Sequence, residues 1–165
     1  MTISMYTDSN LYLKPVTLFE DWLHIEKITN AAEYLKYDPE KPTMTPAQQE
    51  DFWHNSVETG KVMIVGIYTQ EDDELLGHIN LFDFDMTQKS CEMGINVLPP
   101  ENFGKGIGTA AIPLALDFVK KNTGVLSVYI LTHITNIPSQ RLFHKCGFKQ
   151  MEWAGKDEIK MGYWL

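Results

Sequence analysis

A run of alternating glycines in the middle of the chain could bind a phosphate group. Its sequence is Phe103-Gly104-Lys105-Gly106-Ile107-Gly108-Thr109. Glycine has no side chain to block a ligand and readily adopts positive φ angles, so main-chain N–H groups can point at an anion. The run follows an alternating segment, Cys91 to Val97, and it would begin a helix whose first N–H groups are unpaired. The pattern predicts an anionic cofactor here, with a flexible surface loop as the alternative.

Two common nucleotide-binding motifs do not fit this run. A P-loop needs Gly-Lys followed by Ser or Thr, whereas Gly106 follows Lys105. The dinucleotide fingerprint needs Gly or Ala at position 109, which is Thr109, and an acidic residue roughly 20 positions later. The segment from Val125 to Thr132 contains no acidic residue. Both nucleotide-binding classes are therefore excluded on the residues.

The elements that would position the glycines follow from hydrophobic spacing. Thr17 with Glu20 predicts a capping box and a first helix, and Thr45-Pro46 with Gln48 predicts a second helix through about Val57. Three antiparallel strands are predicted at 61–68, 75–84 and 89–97, then the glycine-loop helix to about Lys121. A buried strand at 125–132, a short helix from Pro138 to the C′ glycine Gly147, and strands at 148–153 and 159–165 complete the chain.

Length and composition favour an ordinary globular protein. The chain has 165 residues, 44% hydrophobic and 22% charged, which suits one domain over 1–165. Its longest apolar run is too short for a transmembrane helix, and the polar first ten residues do not resemble a signal peptide. These features predict a cytoplasmic protein that does not bind membranes.

The charge is distributed unevenly along the chain. The net charge is −8, which argues against a nucleic-acid partner. Residues 102–150 carry six cations and one acid, a net charge of +5, whereas the rest carry eight cations and 21 acids, a net charge of −13. The basic segment begins at the glycine run, where an anion would bind. The acidic remainder could attract a cationic substrate by long-range steering.

A second motif, together with the glycine run, resembles a known family. The segment from Asn136 to Phe148 is NIPSQRLFHKCGF. It is similar to the pattern Asn-x-x-Ser/Ala-x-x-Leu-Tyr/Phe-x-Lys-x-Gly-Phe of the GNAT superfamily of acyl-coenzyme A-dependent N-acetyltransferases. The glycine run, preceded by Val97-Leu98-Pro99, is similar to that family's loop, Gln/Arg-x-x-Gly-x-Gly/Ala. The segments Leu11 to Thr17 and Glu92 to Ile95 resemble the branch of ribosomal-protein N-terminal acetyltransferases.

The resemblance implies a fold and a binding mode for acetyl-coenzyme A, with no metal. The fold would be α+β, a mixed, mostly antiparallel and splayed sheet flanked by helices. Main-chain amides of the loop would bind the pyrophosphate, and β-strand residues at 95–97 would pair with the peptide-like pantetheine arm. The cofactor-binding residues implied are Ile95, Asn96, Val97, Phe103, Gly104, Lys105, Gly106, Ile107, Gly108, Thr109, Asn136, Ser139, Phe143 and Lys145. Phe103 departs from the family's Gln or Arg, so a side-chain contact to phosphate is missing there.

The resemblance also implies roles in catalysis. A neutral amine must attack the thioester, and an amine with an ordinary pKa of about 10.4 must first lose a proton. Glu92 is the candidate base, and main-chain N–H near Val97 would stabilise the oxyanion. Phe143 stands where many relatives have a tyrosine acid, so Ser139 is the candidate that protonates the thiolate, ahead of His144 and Tyr163.

Structural roles remain open for several of these residues. Asn136 could cap a helix, Phe143 could be a core residue, and Glu92 could be a solvent-facing strand residue. The aromatic rings of Trp22 and Trp53 and the acids Asp83 and Asp85 could line an amine pocket, although packing and turn formation are favoured for them. Cys91 and Cys146 are interpreted as small buried residues, and the five histidines lack metal-ligand spacing.

These observations predict an N-acetyltransferase that acts on a primary amine. The acceptor could be a protein N-terminus, a polyamine or another small cationic amine. A non-catalytic acyl-coenzyme A sensor is the alternative, because neither Phe103 nor Phe143 supplies the polar group common in relatives. A homodimer is one open outcome, since dimers are frequent in the superfamily.

Overall fold

The computed structural model describes residues 6–7, 10–31, 42–98 and 104–165. Its strands are β1 (Tyr6–Thr7), β2 (Leu11–Pro15), β3 (Met63–Thr69), β4 (Leu75–Asp85), β5 (Ser90–Val97), β6 (Ser127–His133), β7 (Lys149–Trp153) and β8 (Glu158–Trp164). Its helices are α1 (Phe19–Thr29), α2 (Pro46–Phe52), α3 (Ile107–Asn122) and α4 (Ile137–Lys145), and α2 runs on into a π-helical turn, Trp53–Val57.

The strands form one sheet in the order β1-β2-β3-β4-β5-β6-β8-β7. Strands β3, β4 and β5 are consecutive antiparallel neighbours, which confirms the predicted meander. The pairing of β5 with β6 is parallel because α3 carries the chain across the sheet between them. The α+β class with a mixed, mostly antiparallel sheet is confirmed.

Each sheet face packs against different helices. On one face, α3 buries Ala111, Ala115 and Val119 in the main core, together with inward strand residues such as Cys91 and Met93. On the other face, α1 and the π-helical turn after α2 pack near β3 through Trp22, Ile25 and Trp53. The outward residues of β5, β6 and β8 include polar side chains such as Glu92 and Lys160. The two faces of β5 therefore meet different surroundings.

The beginning of α1 differs from the prediction. The helix starts at Phe19, Leu18 is its N-cap, and no side chain caps it, so the predicted Thr17–Glu20 capping box is wrong. The cause is tertiary, because Val16 N–H donates to Ile64 O and continues the β2–β3 pairing up to the helix. The capping box of α2 is present, since Gln48 N–H donates to Thr45 Oγ1 and Thr45 N–H donates to Gln48 Oε1.

Strands β1 and β2 were not predicted from the sequence. The segment 11–15 contains Lys14 and Pro15, which weaken a strand pattern. Pairing with the buried β3, in the register Leu13↔Ile67, overrides this local weakness. Among the described residues, no helix has both the length and the apolar character to span a membrane.

Candidate active site

A cleft of about 620 Å³ lies between the C-terminal end of β5, the N-terminus of α3 and the helix α4. The end of β5 and the start of α3 are close in sequence, and the distant α4 joins them because β5 and β6 are neighbours in the sheet. The residues that line the cleft are Ile95, Asn96, Val97, Gly104, Gly106, Ile107, Gly108, Thr109, Asn136, Pro138, Ser139, Arg141, Leu142, Phe143 and Lys145.

The glycine loop provides an open main-chain surface at the start of α3. Gly104 and Gly106 have φ angles of +75° and +81°, and Gly106 is the N-cap of α3. A Cβ atom built on either glycine would meet nothing within 4 Å, so a ligand can approach this backbone closely. The unpaired N–H groups at the beginning of a 16-residue helix favour an anion there. The loop therefore fits a pyrophosphate group.

Gly108 has a different structural role from the other two glycines. It is buried, and an added Cβ would lie 2.9 Å from Leu142 Cδ2 on α4. Its missing side chain thus lets α3 and α4 pack closely on one wall of the cleft. A substitution here would disturb packing as well as any ligand.

The sheet opens at the cleft because β5 and β6 stop pairing. Their register is Ser90↔Ser127, Cys91↔Val128 and Glu92↔Tyr129, and the pairing ends there although β5 continues to Val97. The remaining β5 residues Ile95, Asn96 and Val97 line the cleft. An extended amide-containing chain fits this open strand edge as an added strand would.

The helix α4 closes the other side of the cleft. Asn136 is its N-cap, with Oδ1 accepting from Ser139 N–H at 3.2 Å, so the capping role is present while the residue also lines the cleft. Phe143 is a core residue, 4% exposed, whose ring lies 5.0 Å edge-on from that of Phe148, and it too borders the cleft. Ser139 is half-buried and faces the same space.

Three lining residues were missed by the sequence analysis. Pro138, Arg141 and Leu142 accompany Lys145 on the cleft side of α4. Helical spacing from Pro138 at i+3, i+4 and i+7 was the signal that could have identified them. Arg141 adds a guanidinium, which suits phosphate, to a cleft that otherwise relies on main-chain groups.

Two of the predicted cofactor residues are not in this set. Lys105 is exposed and is not among the residues that line the cleft. Phe103 lies outside the described residues. The other cofactor-binding residues predicted from the sequence are brought together.

Glu92 lies where the two strands begin to part. Cys91 and Met93 on either side point into the main core, so Glu92 points to the opposite face of the sheet. Burial and the nearby carboxylates of Asp83 and Glu158 raise the pKa of Glu92 to about 7, while Lys160 opposes the rise. A half-buried carboxylate that is partly ionised at neutral pH can accept a proton efficiently.

Residues from three other strands surround Glu92 on this face, which we call the acceptor face. Asp83 adopts a φ of +49° at an irregularity in the β4–β5 pairing, Tyr129 is the partner of Glu92 on β6, and Glu158 and Lys160 are on β8. Burial, then the charge of Glu92, raises the pKa of Tyr129. The acceptor face is therefore acidic, with one lysine among its charged groups.

Other candidates from the sequence have structural roles. Trp22 and Trp53 are buried against each other, with ring centroids 6.1 Å apart, which confirms packing. Asp85 Oδ1 accepts from the main-chain N–H groups of Thr87 and Gln88 in the β4–β5 turn. Asp83, in contrast, stands beside Glu92.

The alternative acids and the cysteines lie away from the cleft lining. His144 is exposed, and Tyr163 packs on Phe148 with a centroid distance of 5.4 Å; neither lines the cleft. Burial raises the pKa of the Cys91 thiol to about 12, so this thiol is inert. Within the described ranges, no group of three or more His, Cys, Asp or Glu side chains could hold a metal ion.

The fold and the cleft define a class of protein, and comparison with known families agrees. The family described as "Acetyltransferase (GNAT) domain" matches residues 10–149, and the chain belongs to it. The predictions of an N-acetyltransferase and of acetyl-coenzyme A as its co-substrate are confirmed at this level.

The individual relatives share low sequence identity with this chain. The spermidine N(1)-acetyltransferase of Escherichia coli K12 is 23% identical over 131 residues, 78% of this chain and 68% of the relative. A probable N-acetyltransferase of Bacillus subtilis, YjcK, is 24% identical over 144 residues, 87% of this chain and 76% of the relative. The solved structure of spermidine N-acetyltransferase from Vibrio cholerae with CoA and spermine has a TM-score of 0.79 at 20% identity, covering 95% of this chain and 96% of that chain.

Proposed function

We propose that this protein transfers an acetyl group from acetyl-coenzyme A to a primary amine of a polyamine. The observation that carries the proposal is the acidic acceptor face at the point where β5 and β6 part. Glu92 lies there, with Asp83 and Glu158 near enough to raise its pKa. A polyamine carries several positive charges, and a net protein charge of −8 favours its approach.

Two relatives support this choice of substrate class. The relative in Escherichia coli is named for spermidine, and the Vibrio cholerae structure contains spermine. The sequence left a protein N-terminus, a polyamine and other small cationic amines open as acceptors. A protein N-terminus presents one ammonium group, whereas several acidic groups on the acceptor face favour a substrate with more than one.

The cleft would hold the co-substrate through the main chain and α4. The amides at Gly104 to Thr109 would bind the pyrophosphate, with Arg141 and Lys145 beside it. The open edge at Ile95 to Val97 would pair with the pantetheine arm. When bound, acetyl-coenzyme A supplies an electrophilic thioester carbonyl.

Glu92 would remove the proton that keeps the amine unreactive. At neutral pH the amine arrives as an ammonium group, and the acidic face attracts it. One N–H proton passes from the ammonium nitrogen to a carboxylate oxygen of Glu92, directly or through a water molecule. The nitrogen then has its lone pair free for attack. The raised pKa of Glu92, about 7, makes this carboxylate a stronger base than an ordinary glutamate.

Ser139 would have a smaller role near the departing thiolate. It is half-buried in the cleft, and its main-chain N–H is held by Asn136. An alkyl thiol has a pKa of about 8.5, so its thiolate departs without strong acid assistance. The hydroxyl of Ser139 can donate a hydrogen bond to it.

Thiol release with a panel of amines tests the proposal. The panel contains spermidine, spermine, 1,4-diaminobutane, a monoamine and a peptide with a free N-terminus. We expect kcat/KM to be highest for the polyamines, and mass spectrometry to find one added acetyl group. A preference for the peptide would favour N-terminal acetylation instead, and the absence of turnover with every amine would contradict the proposal.

The assembly of the protein can be tested on the same sample. A homodimer was one open outcome of the sequence analysis, whereas one structure of the Vibrio cholerae relative is described as dodecameric. Light scattering of the purified chain distinguishes a dimer from a larger assembly.

A further inference from the structure

Lys160 is an unusual neighbour for the acidic residues of the acceptor face. Ile159 and Met161 on either side of it are buried in the main core, so Lys160 points to the opposite face of β8. Its Nζ lies 4.3 Å from the centroid of the Tyr129 ring. Tyr129 is the register partner of Glu92 on the neighbouring strand, β6. The Lys160 ammonium group therefore lies over a ring that is next to Glu92 in the sheet.

The contacts of Lys160 hold its side chain in place, and its ion pair with Glu152 is weak. Its side chain is only 26% exposed, and the aromatic ring of Tyr129 supports the ammonium through a cation–π contact. The nearest described carboxylate, Glu152 Oε1, is 3.9 Å away on a side chain that is 68% exposed. Such a long, solvated pair neutralises little charge.

We propose that Lys160 is a positioning residue that occupies one cation position on the acceptor face and thereby sets the charge that Glu92 and an incoming polyamine meet. The inference rests on the proposed function, because it concerns the same acceptor. In physical terms, Lys160 is a built-in ammonium group. It competes with one charge of a polyamine and stabilises the ionised form of Glu92.

The groups that face Glu92 support this balance. Asp83 comes from β4, Tyr129 from β6, and Glu158 and Lys160 from β8, while Asp85 lies near Tyr129. Burial first, then Asp83 and Glu158, raises the pKa of Glu92, and Lys160 is the group that lowers it. Without Lys160 the carboxylate would hold its proton to a higher pH, and the acceptor face would be more negative.

A direct titration of Glu92 tests the first consequence without relying on activity. The full chain is labelled with ¹³C at glutamate carboxyl groups, and the Glu92 signal is assigned by its loss in Glu92→Gln. We expect Lys160→Met to move the Glu92 midpoint upward from its wild-type position, and Lys160→Arg to restore it. The matched control is Glu152→Gln, which breaks the same ion pair but keeps the lysine, and it should leave the midpoint near that of the wild type.

Kinetics at pH 8.5, with Glu92 ionised, test the second consequence. We expect Lys160→Met to lower KM for 1,4-diaminobutane by about two- to fivefold relative to 1-aminobutane, the size expected of one solvent-screened charge interaction. The kcat should change less than KM, and Lys156→Met, an exposed lysine on the β7–β8 turn, should change neither.

The two experiments separate failure of the inference from failure of the proposed function. An unchanged Glu92 midpoint in Lys160→Met, or an equal shift in Glu152→Gln, would overturn the role of Lys160 even if polyamines are acetylated. A KM that falls equally for the diamine and the monoamine would also overturn it. A wild-type protein that acetylates no amine would overturn the proposed function, whatever the titration shows.

Discussion

The cleft and the acceptor face both adjoin the strand β5, yet they are built in different ways. The cleft depends largely on main-chain groups: open glycines at 104 and 106, the unpaired edge of β5, and the start of α3. The acceptor face depends on side chains from β4, β6 and β8, gathered around Glu92 on β5. We propose that the first region binds the constant co-substrate and that the second selects among amines.

This difference indicates how one family can keep a co-substrate while changing its acceptor. Binding of a pyrophosphate by main-chain amides does not depend on side chains. Phe103 can therefore replace the Gln or Arg of the family pattern without removing the amides at 104–109. The acceptor face has no such protection. A single charge change at Asp83, Glu158 or Lys160 would alter the pKa of Glu92 and the electrostatic attraction of the amine.

The largest expected effect comes from removing the carboxylate of the acceptor face. Glu92→Gln keeps the size and loses the base, and we expect kcat/KM at pH 7.5 to fall about a hundredfold or more. Coenzyme A binding, measured by calorimetry, should be unchanged because Glu92 does not line the cleft. A fall in both quantities would show that the two regions are not independent.

A substitution in the glycine loop should weaken coenzyme A binding and leave the acceptor face unchanged. Gly106→Asp adds a carboxylate at a position where a Cβ meets nothing within 4 Å, and Asp tolerates the positive φ comparatively well. We expect the coenzyme A dissociation constant to rise about tenfold or more, through repulsion of the pyrophosphate.

The matched control for the loop is Gly60→Asp. Gly60 has a φ of +77°, and its Cβ position is equally open, but it does not line the cleft. Both variants should lose similar thermal stability, and only Gly106→Asp should lose affinity. Equal affinity of the two variants for coenzyme A would show that the main-chain N–H groups of the glycine loop do not bind the pyrophosphate.

Ser139→Ala should have a small effect. The main-chain cap from Asn136 stays intact, so α4 should fold as before. We expect kcat to fall about threefold or less, because the thiolate needs little protonation to depart. A hundredfold loss in stopped-flow thiol release would instead make Ser139 the essential acid.

The smallest effect is on stability, and its sign depends on pH. The folded state raises the pKa of Glu92 above its ordinary value, so between the two pKa values the folded protein holds a proton that the unfolded chain has released. Stability from this group is therefore present at low pH and is lost as pH rises through about 7. Glu92→Gln should melt higher than the wild type at pH 8, with no difference near pH 4.5, in calorimetric scans.

The sequence predicted the cleft better than the acceptor face, for a physical reason. Motifs at 103–109 and 136–148 are local, and the family resemblance specified their roles, so most lining residues were identified. Tyr129, Glu158 and Lys160 carry no local pattern, and they reach Glu92 only through the β5–β6–β8 pairing.

The same distinction explains the errors in the predicted fold. The capping box at Thr45 depends on residues three apart and was confirmed, whereas that at Thr17 was wrong because β3 holds the preceding chain. Strand β2 similarly depends on its partner rather than on its own residues. Asp83 was interpreted as turn charge, although an irregular pairing brings it to Glu92.

The pH dependence of kcat/KM for spermidine, compared between the wild type and Glu92→Gln, tests the central claim most directly. The account predicts that the wild-type rate rises tenfold per pH unit below about 7, as Glu92 ionises, and then levels. Glu92→Gln should lack this limb and remain slow across the range. An identical limb in both proteins would show that another group accepts the proton and would contradict the account.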